Sequence, residues 1–132
     1  MGRAYNQHQQ RHQGLSAFGK DLTRRSAACC ELCEARGVKL QIHEVPPIPT
    51  DPELEHCIFV CETCLDQLQH PKKRDPDHWR CLTRAIWSQV PAVQVTAVWM
   101  ARQLSAQPWV AEMLEQLYLD PDIDAWVEKS DP

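Results

Sequence analysis

The chain carries two short cysteine pairs, Cys30-Glu-Leu-Cys33 and Cys61-Glu-Thr-Cys64, with 27 residues between them. Two residues separate the cysteines within each pair, so a tight turn can bring both sulfurs to the same side of the backbone. Four thiolates from two such pairs complete a tetrahedron around a metal ion and leave no coordination position open for a substrate. We therefore expect Cys30, Cys33, Cys61 and Cys64 to hold one Zn²⁺ ion in a structural site.

Other uses of the two pairs match the surrounding residues less well. An iron site of the rubredoxin type usually has glycine after the second cysteine of each pair, whereas Glu34 and Leu65 stand there. A redox-active dithiol usually lies between a strand and a helix, with aromatic and proline neighbours that neither pair has. Zinc is therefore the metal that the sequence favours.

Three further cysteines, Cys29, Cys57 and Cys81, lie outside the pairs. Cys29 could replace Cys30 as a ligand through a longer turn, and Cys57 could compete with Cys61. We otherwise expect Cys57 and Cys81 to be small buried side chains.

The residues around the pairs predict a β-hairpin followed by a helix. Apolar and polar residues alternate over Val38–His43, which is typical of a strand with one buried face. After a proline-rich connection, Cys57-Ile-Phe-Val60 predicts a second strand that leads into the second cysteine pair. Leu65 and Leu68 indicate a helix that begins at this pair and ends before Pro71. A first pair, two strands and a second pair at the start of a helix describe a treble-clef zinc finger.

The chain divides into three parts on these grounds. Residues 1–14 are polar and rich in glutamine and histidine, so we expect a disordered arm. Residues 15–72 form the treble-clef module, which begins with a short helix capped by Ser16. Residues 73–132 form a C-terminal helical region that packs on the module. The expected fold is α+β: a small treble-clef zinc finger, made of a β-hairpin plus a helix, followed by a bundle of short α-helices.

The C-terminal region is strongly apolar. Pro91, Pro108 and Pro121 are each suited to the first turn of a helix. Apolar residues cover much of the circumference of the segment Val93–Leu104, so this segment must be buried on more than one side. A homodimer through these helices is one way to cover it. The alternative is a core within the chain, which the five tryptophans, all beyond residue 78, would help to fill.

The net charge of −4 is distributed unevenly along the chain. Residues 1–28 carry a net charge of +4, residues 29–74 one of −3 and residues 75–132 one of −5. An acidic C-terminal half argues against a protein that coats nucleic acid with its whole surface. Five basic residues could still form a local phosphate-binding face: Arg24, Arg25, Lys72, Lys73 and Arg74. The alternative is a solvated run of charges without a partner.

The hydropathy pattern gives no indication of a membrane protein. No apolar run approaches the roughly 18 residues needed to span a bilayer, and the N-terminus lacks the apolar segment of a secretory signal. We therefore expect a cytoplasmic protein without membrane contact. A reducing compartment favours metal binding or free thiols over disulfides for the seven cysteines.

The finger resembles the HNH endonucleases, which are built on a treble clef. The segment Leu40-Gln-Ile-His43-Glu44 stands where that family has a strand ending in two histidines. The resemblance covers about residues 16–70 and implies the same fold for the finger. His43 matches the family's first histidine, but Glu44 replaces its general base and Leu65 replaces a histidine that usually binds metal. A residual nuclease would depend on His43, Glu44 and His56.

A longer resemblance covers almost everything after residue 15. It is carried by the segments Gly19-Lys-Asp-Leu-Thr-Arg-Arg-Ser26, Cys30-Glu-Leu-Cys33, Glu44-Val-Pro-Pro47, Asp75-Pro-Asp-His-Trp-Arg-Cys81 and Trp87-Ser-Gln-Val-Pro-Ala-Val93. These segments are similar to those of bacterial PhnA-domain proteins, which are named for alkylphosphonate utilisation. The resemblance implies a small cytoplasmic zinc-binding protein.

The expected function is a non-enzymatic module that binds nucleic acid or protein. The sequence has no carboxylate–histidine cluster for two metals and no glycine-rich phosphate loop, which a phosphonate enzyme would need. The alternative function is a degenerate HNH-type nuclease or an enzyme of phosphonate metabolism.

Overall fold

The computed structural model describes residues 2–131. Within these residues the chain forms seven α-helices and one hairpin of two antiparallel strands. The elements in chain order are α1 (Gly2–Ser16), α2 (Gly19–Ser26), β1 (Leu40–Glu44), β2 (Cys57–Cys61), α3 (Glu62–Gln69), α4 (Leu82–Ala85), α5 (Pro91–Gln103), α6 (Pro108–Glu115) and α7 (Pro121–Lys129). Short 3₁₀ turns occupy Leu54–His56, Pro71–Lys73 and His78–Cys81. The fold is therefore mixed α+β, with the hairpin followed by several short helices.

The hairpin places the second cysteine pair at a junction between a strand and a helix. Leu40 pairs with Cys61 and Glu44 with Cys57 across the two antiparallel strands. The first strand begins two residues after the predicted start at Val38, whose side chain is 49% exposed. β2 is more deeply buried than β1 and continues directly into α3. The predicted hairpin and the helix that follows it are confirmed.

The N-terminal residues form a helix where the sequence predicts a disordered arm over residues 1–14. α1 covers all of this segment that the structure describes. Arg11 fastens the helix to the connection between the strands: it forms an ion pair with Glu44 and donates to the carbonyl oxygens of Pro49 and Thr50, each at 2.9 Å. This anchor is polar, so hydrophobic periodicity could not indicate it.

One hydrophobic core joins the hairpin to the C-terminal helices. α5 contributes most to it, because eight of its thirteen residues are buried. Leu32 and Ile58 from the cysteine-rich part belong to the same core as Trp79 and Ile86, which follow the expected boundary between residues 72 and 73. The prediction that the segment within α5 is buried on more than one side is confirmed.

The apolar side chains of α5 are covered by the chain itself. A homodimer through the C-terminal helices therefore stays a prediction. Its interface would have to use side chains other than the buried ones of α5. The tryptophans differ in exposure: Trp79 is fully buried, whereas 53% of Trp87 is exposed. Among residues 2–131, no helix combines the length and the apolar character needed to cross a bilayer.

Candidate metal centre

The structure brings the sulfur atoms of the two cysteine pairs together. The Sγ atoms of Cys30, Cys33, Cys61 and Cys64 all lie within 4.8 Å of one another. The Sγ atoms of Cys30 and Cys64 are 3.7 Å apart, and those of Cys33 and Cys61 are 3.6 Å apart. Zn–S bonds of about 2.3 Å place the corners of a tetrahedron about 3.8 Å from one another. The donor atoms and their spacing therefore fit one metal ion bound by four sulfurs.

A tight turn presents the first pair. The backbone N–H of Cys33 points to Sγ of Cys30 at 3.4 Å, and the N–H of Glu34 donates to the carbonyl oxygen of Cys30 at 2.8 Å. Glu34 and Gly37 have φ angles of +64° and +69°, which reverse the chain after the pair. Glycine meets this requirement without steric cost, whereas Glu34 adopts a conformation that is uncommon for a residue with a side chain.

The second pair lies where β2 ends and α3 begins. Cys61 is the N-cap residue of α3, and its Sγ accepts the backbone N–H of Cys64 at 3.4 Å. The first N–H groups of a helix have no partner within it, so its N-terminus favours negative charge. A thiolate at Cys61 is therefore stabilised by the helix that it caps.

The thiols of the cluster differ in exposure and in acidity. Cys30, Cys61 and Cys64 are buried, whereas Cys33 is partly exposed. Hydrogen bonds with Cys33 and Cys64 lower the pKa of Cys30 well below its ordinary value. The contact with Cys30 raises the pKa of Cys33 to about 12 and also raises the pKa of Cys64. These opposite shifts arise because closely spaced sulfurs compete for one negative charge.

An imidazole lies beside the sulfur cluster. Nε2 of His78 is 3.2 Å from Sγ of Cys64, which is within hydrogen-bonding distance of sulfur. The imidazole ring meets Trp79 edge-on, with 5.2 Å between the ring centroids. Sequence reasoning did not single out His78, because it lies 14 residues beyond Cys64 and the two pairs already supply four ligands. The short spacing that identifies the cysteine pairs does not indicate a contact over this distance.

The remaining cysteines lie outside the group of mutually close sulfurs. Sγ of Cys29 lies 3.3 Å from the carbonyl oxygen of Ala27, and Sγ of Cys57 lies 3.3 Å from that of Glu53. Burial raises the pKa of Cys57 and of Cys81 to about 11 each. Cys30, rather than Cys29, thus contributes to the cluster, and the thiols of Cys57 and Cys81 are protonated at neutral pH.

Two of the five basic residues expected at a phosphate-binding face are engaged within the protein. Arg25 donates two hydrogen bonds to Glu31, at 2.9 and 2.7 Å, and a third to the carbonyl oxygen of Cys57 at 2.8 Å. Arg74 donates to two carbonyl oxygens in the last turn of α3, at 2.8 and 3.0 Å, and lies over the ring of Trp99. These two arginines hold elements of the fold together.

The other three basic residues are more accessible. Nζ of Lys73 lies 3.4 Å from a carboxylate oxygen of Asp66, in a pair that is largely exposed. Arg24 and Lys72 are exposed, and their side chains form no hydrogen bond or ion pair within residues 2–131. Of the five predicted residues, these two are the ones that the fold leaves available to a partner.

Two of the three residues on which a nuclease would depend have other partners within the fold. The carboxylate of Glu44 is paired with Arg11. The imidazole of His56 packs on Trp126, with 4.8 Å between the ring centroids. His43 and Glu44 are adjacent along β1, and both line one cavity.

His43 lines a cavity of about 760 Å³ between the hairpin, α5 and the end of α7. Burial lowers the pKa of His43, so its imidazole is neutral at neutral pH. Trp99 and Arg74 also line this cavity. Its volume falls within the range of about 300–1,000 Å³ typical of small-molecule sites.

No known protein family matches the chain, and no curated protein or solved structure is significantly similar to it. Similarity to known proteins therefore identifies no family. The resemblances to HNH endonucleases and to PhnA-domain proteins stay predictions, which rest on the segments quoted above.

Proposed function

We propose that the protein binds one Zn²⁺ ion through Cys30, Cys33, Cys61 and Cys64 in a closed structural site. The observation that carries this proposal is the separation of the sulfur atoms, which is close to the edge of a zinc–thiolate tetrahedron. Four protein ligands fill the tetrahedron, so no position is left for a catalytic water or a substrate. The burial of three of the four cysteines supports the same role.

We propose further that the metal-bound part is a treble clef. The support is the order of its parts: a turn with the first pair, the hairpin, and a second pair at the start of α3. The module contributes only part of the core that it shares with the C-terminal helices. Metal binding would therefore supply much of the free energy that folds it.

The first test is the metal content of protein purified without added metal. We expect one zinc per chain. Cys30→Ser should lose both the metal and the fold, whereas Cys29→Ser should keep both, because the sulfur of Cys29 lies outside the cluster. Iron, two metals per chain, or an intact fold without metal would contradict the proposal.

The zinc-bound module is, in this proposal, a non-enzymatic binding module in the cytoplasm, and nucleic acid is its favoured partner over protein. Support comes from Arg24 and Lys72, which are exposed cations without partners among the described residues. The ion pair of Glu44 with Arg11 and the packing of His56 on Trp126 support the absence of nuclease chemistry. The resemblance to PhnA-domain proteins belongs to the same proposal and rests on the sequence alone.

The test of the nucleic-acid interface is a titration of fluorescent duplex DNA at several salt concentrations. The double variant Arg24→Ala/Lys72→Ala should bind more weakly, and the slope of log affinity against log salt should fall in magnitude by about 2, one unit for each lost phosphate contact. Lys129→Ala, which removes an exposed cation from α7, is the control and should bind normally. Unchanged affinity and slope in the double variant would contradict the proposed interface, as would no binding by the wild-type protein at low salt.

A further inference from the structure

His78 contacts the metal centre from outside the group of four sulfurs. Its Nε2 atom lies 3.2 Å from Sγ of Cys64, which is fully buried. A fifth ligand would have to lie near all the sulfurs, but the atoms within 4.8 Å of one another come from the four cysteines alone among the described residues. The imidazole therefore contacts a sulfur of the group without belonging to the group.

We propose that His78 is a positioning residue of the metal centre, which donates a hydrogen bond from Nε2–H to the Cys64 thiolate and so strengthens metal binding. This inference rests on the proposed zinc site. His78 lies outside the predicted finger of residues 15–72, in the 3₁₀ turn that precedes α4. The metal centre would thus include a residue of the C-terminal region.

The position of the imidazole is fixed by its neighbours. The side-chain oxygen of Gln67, a buried residue of α3, accepts hydrogen bonds from the backbone N–H of Asp75 and from Nε1–H of Trp79, each at 2.8 Å. These two bonds tie the residues on either side of His78 to the helix that carries Cys64. Trp79 is fully buried and holds the imidazole edge-on. These contacts place the imidazole beside Cys64.

A hydrogen bond from His78 would lower the electron density on the sulfur of Cys64. A hydrogen bond from an imidazole N–H stabilises a buried thiolate, which has little other solvation. Groups that bond to metal ligands in this way orient them, and their removal typically weakens metal affinity by about 10- to 100-fold. A sulfur without the hydrogen bond also gives up an electron more easily to a bound metal ion.

The test compares three substitutions at position 78 in the full chain. His78→Ala and His78→Phe remove the donor, without and with added bulk, whereas His78→Gln keeps a side-chain N–H. Zinc affinity is measured by competition with a chromophoric chelator, and Co²⁺-loaded protein reports the energy of the sulfur-to-cobalt charge-transfer band. The control is His70→Ala, because the side chain of His70 is 55% exposed and contacts Asp66 rather than a cysteine.

We expect His78→Ala and His78→Phe to bind zinc at least about tenfold more weakly. Their charge-transfer band should move to lower energy, and His78→Gln should recover part of both effects. A purely structural role would leave the band in place and would not be rescued by an N–H donor. The control should behave as the wild-type protein does.

Three results would overturn the inference. They are equal zinc affinity in all variants, a Co²⁺ spectrum of the wild-type protein that shows a nitrogen ligand, and a His78→Gln protein as impaired as His78→Ala. The first and the third leave the proposed four-cysteine site standing, whereas a nitrogen ligand would also contradict that ligand set. If the wild-type protein binds no metal, the proposed function fails and this inference falls with it.

Discussion

Arg25 lies beside Arg24 in the sequence, yet the structure gives the two arginines different environments. Arg25 forms a bidentate ion pair with Glu31, whose side chain is only 5% exposed. The same carboxylate accepts the backbone N–H of Phe59 at 2.8 Å. Glu31 lies between the cysteines of the first pair, so the ion pair links α2 and that pair to β2. Arg24 has no comparable contact among the described residues.

We expect Arg25→Ala to lower the free energy of unfolding of the metal-loaded protein by about 2–3 kcal/mol. Each hydrogen bond to a charged group contributes about 1.5–3 kcal/mol, and the substitution leaves an almost buried carboxylate without its cation. Arg24→Ala should change the free energy of unfolding by less than about 0.5 kcal/mol. Urea unfolding of both variants measures the difference, and equal values would show that the Arg25–Glu31 pair adds nothing to stability.

At the scale of single elements, α1 is held by a polar anchor. The guanidinium of Arg11 contacts Glu44 at the end of β1 and two carbonyl oxygens of the connection that follows. Gly14 allows the helix to approach this connection closely, because a Cβ atom there would lie 3.1 Å from Cγ of Pro52. The docking of α1 therefore depends on a charge and a small residue.

We expect Arg11→Ala to release α1 while leaving the metal centre intact. Amide hydrogen exchange in α1 should become about tenfold faster or more, since the lost charged hydrogen bonds contribute about 1.5–3 kcal/mol. The metal content should not change, because Arg11 contacts none of the four cysteines. Lys20→Ala, at an exposed position of α2, is the control. Unchanged exchange in α1 after Arg11→Ala would show that other contacts hold the helix.

At the scale of the whole molecule, the cysteine-rich part and the C-terminal helices share one core. Leu32 packs in the same cluster as Trp79 and Val93. At the other end of the hairpin, Nε1–H of Trp126 in α7 donates to the carbonyl oxygen of Pro46 at 2.9 Å. Contacts on both sides of the hairpin therefore join residues before and after position 72.

A fragment of residues 1–72 should consequently fail to unfold cooperatively, even with zinc present. It keeps the four cysteines but exposes the apolar residues that α5 and Trp79 cover in the full chain. We expect one cooperative transition for the full chain in urea and a broad, shallow change for the fragment. A sharp transition in the zinc-loaded fragment would establish the finger as an independent domain.

The features that the sequence predicts well depend on residues close together in the chain. The spacing within each cysteine pair and the alternation before β1 indicate the metal-binding group and the hairpin from short segments. The contacts that it misses are polar and distant: Arg11 with Glu44 spans 33 residues, and Cys64 with His78 spans 14. Neither hydrophobic periodicity nor ligand spacing encodes such contacts. The different roles of Arg24 and Arg25 also depend on packing alone.

The partial exposure of Cys33 has a kinetic consequence. Competing ligands would first reach a bound metal ion at Cys33, because the other three cysteines are buried. Exchange would then proceed stepwise, with Cys33 the first sulfur to leave the ion and the last to close over it. The lifetime of the bound ion would accordingly be set by how often the bond to Cys33 breaks, rather than by the strength of all four bonds together.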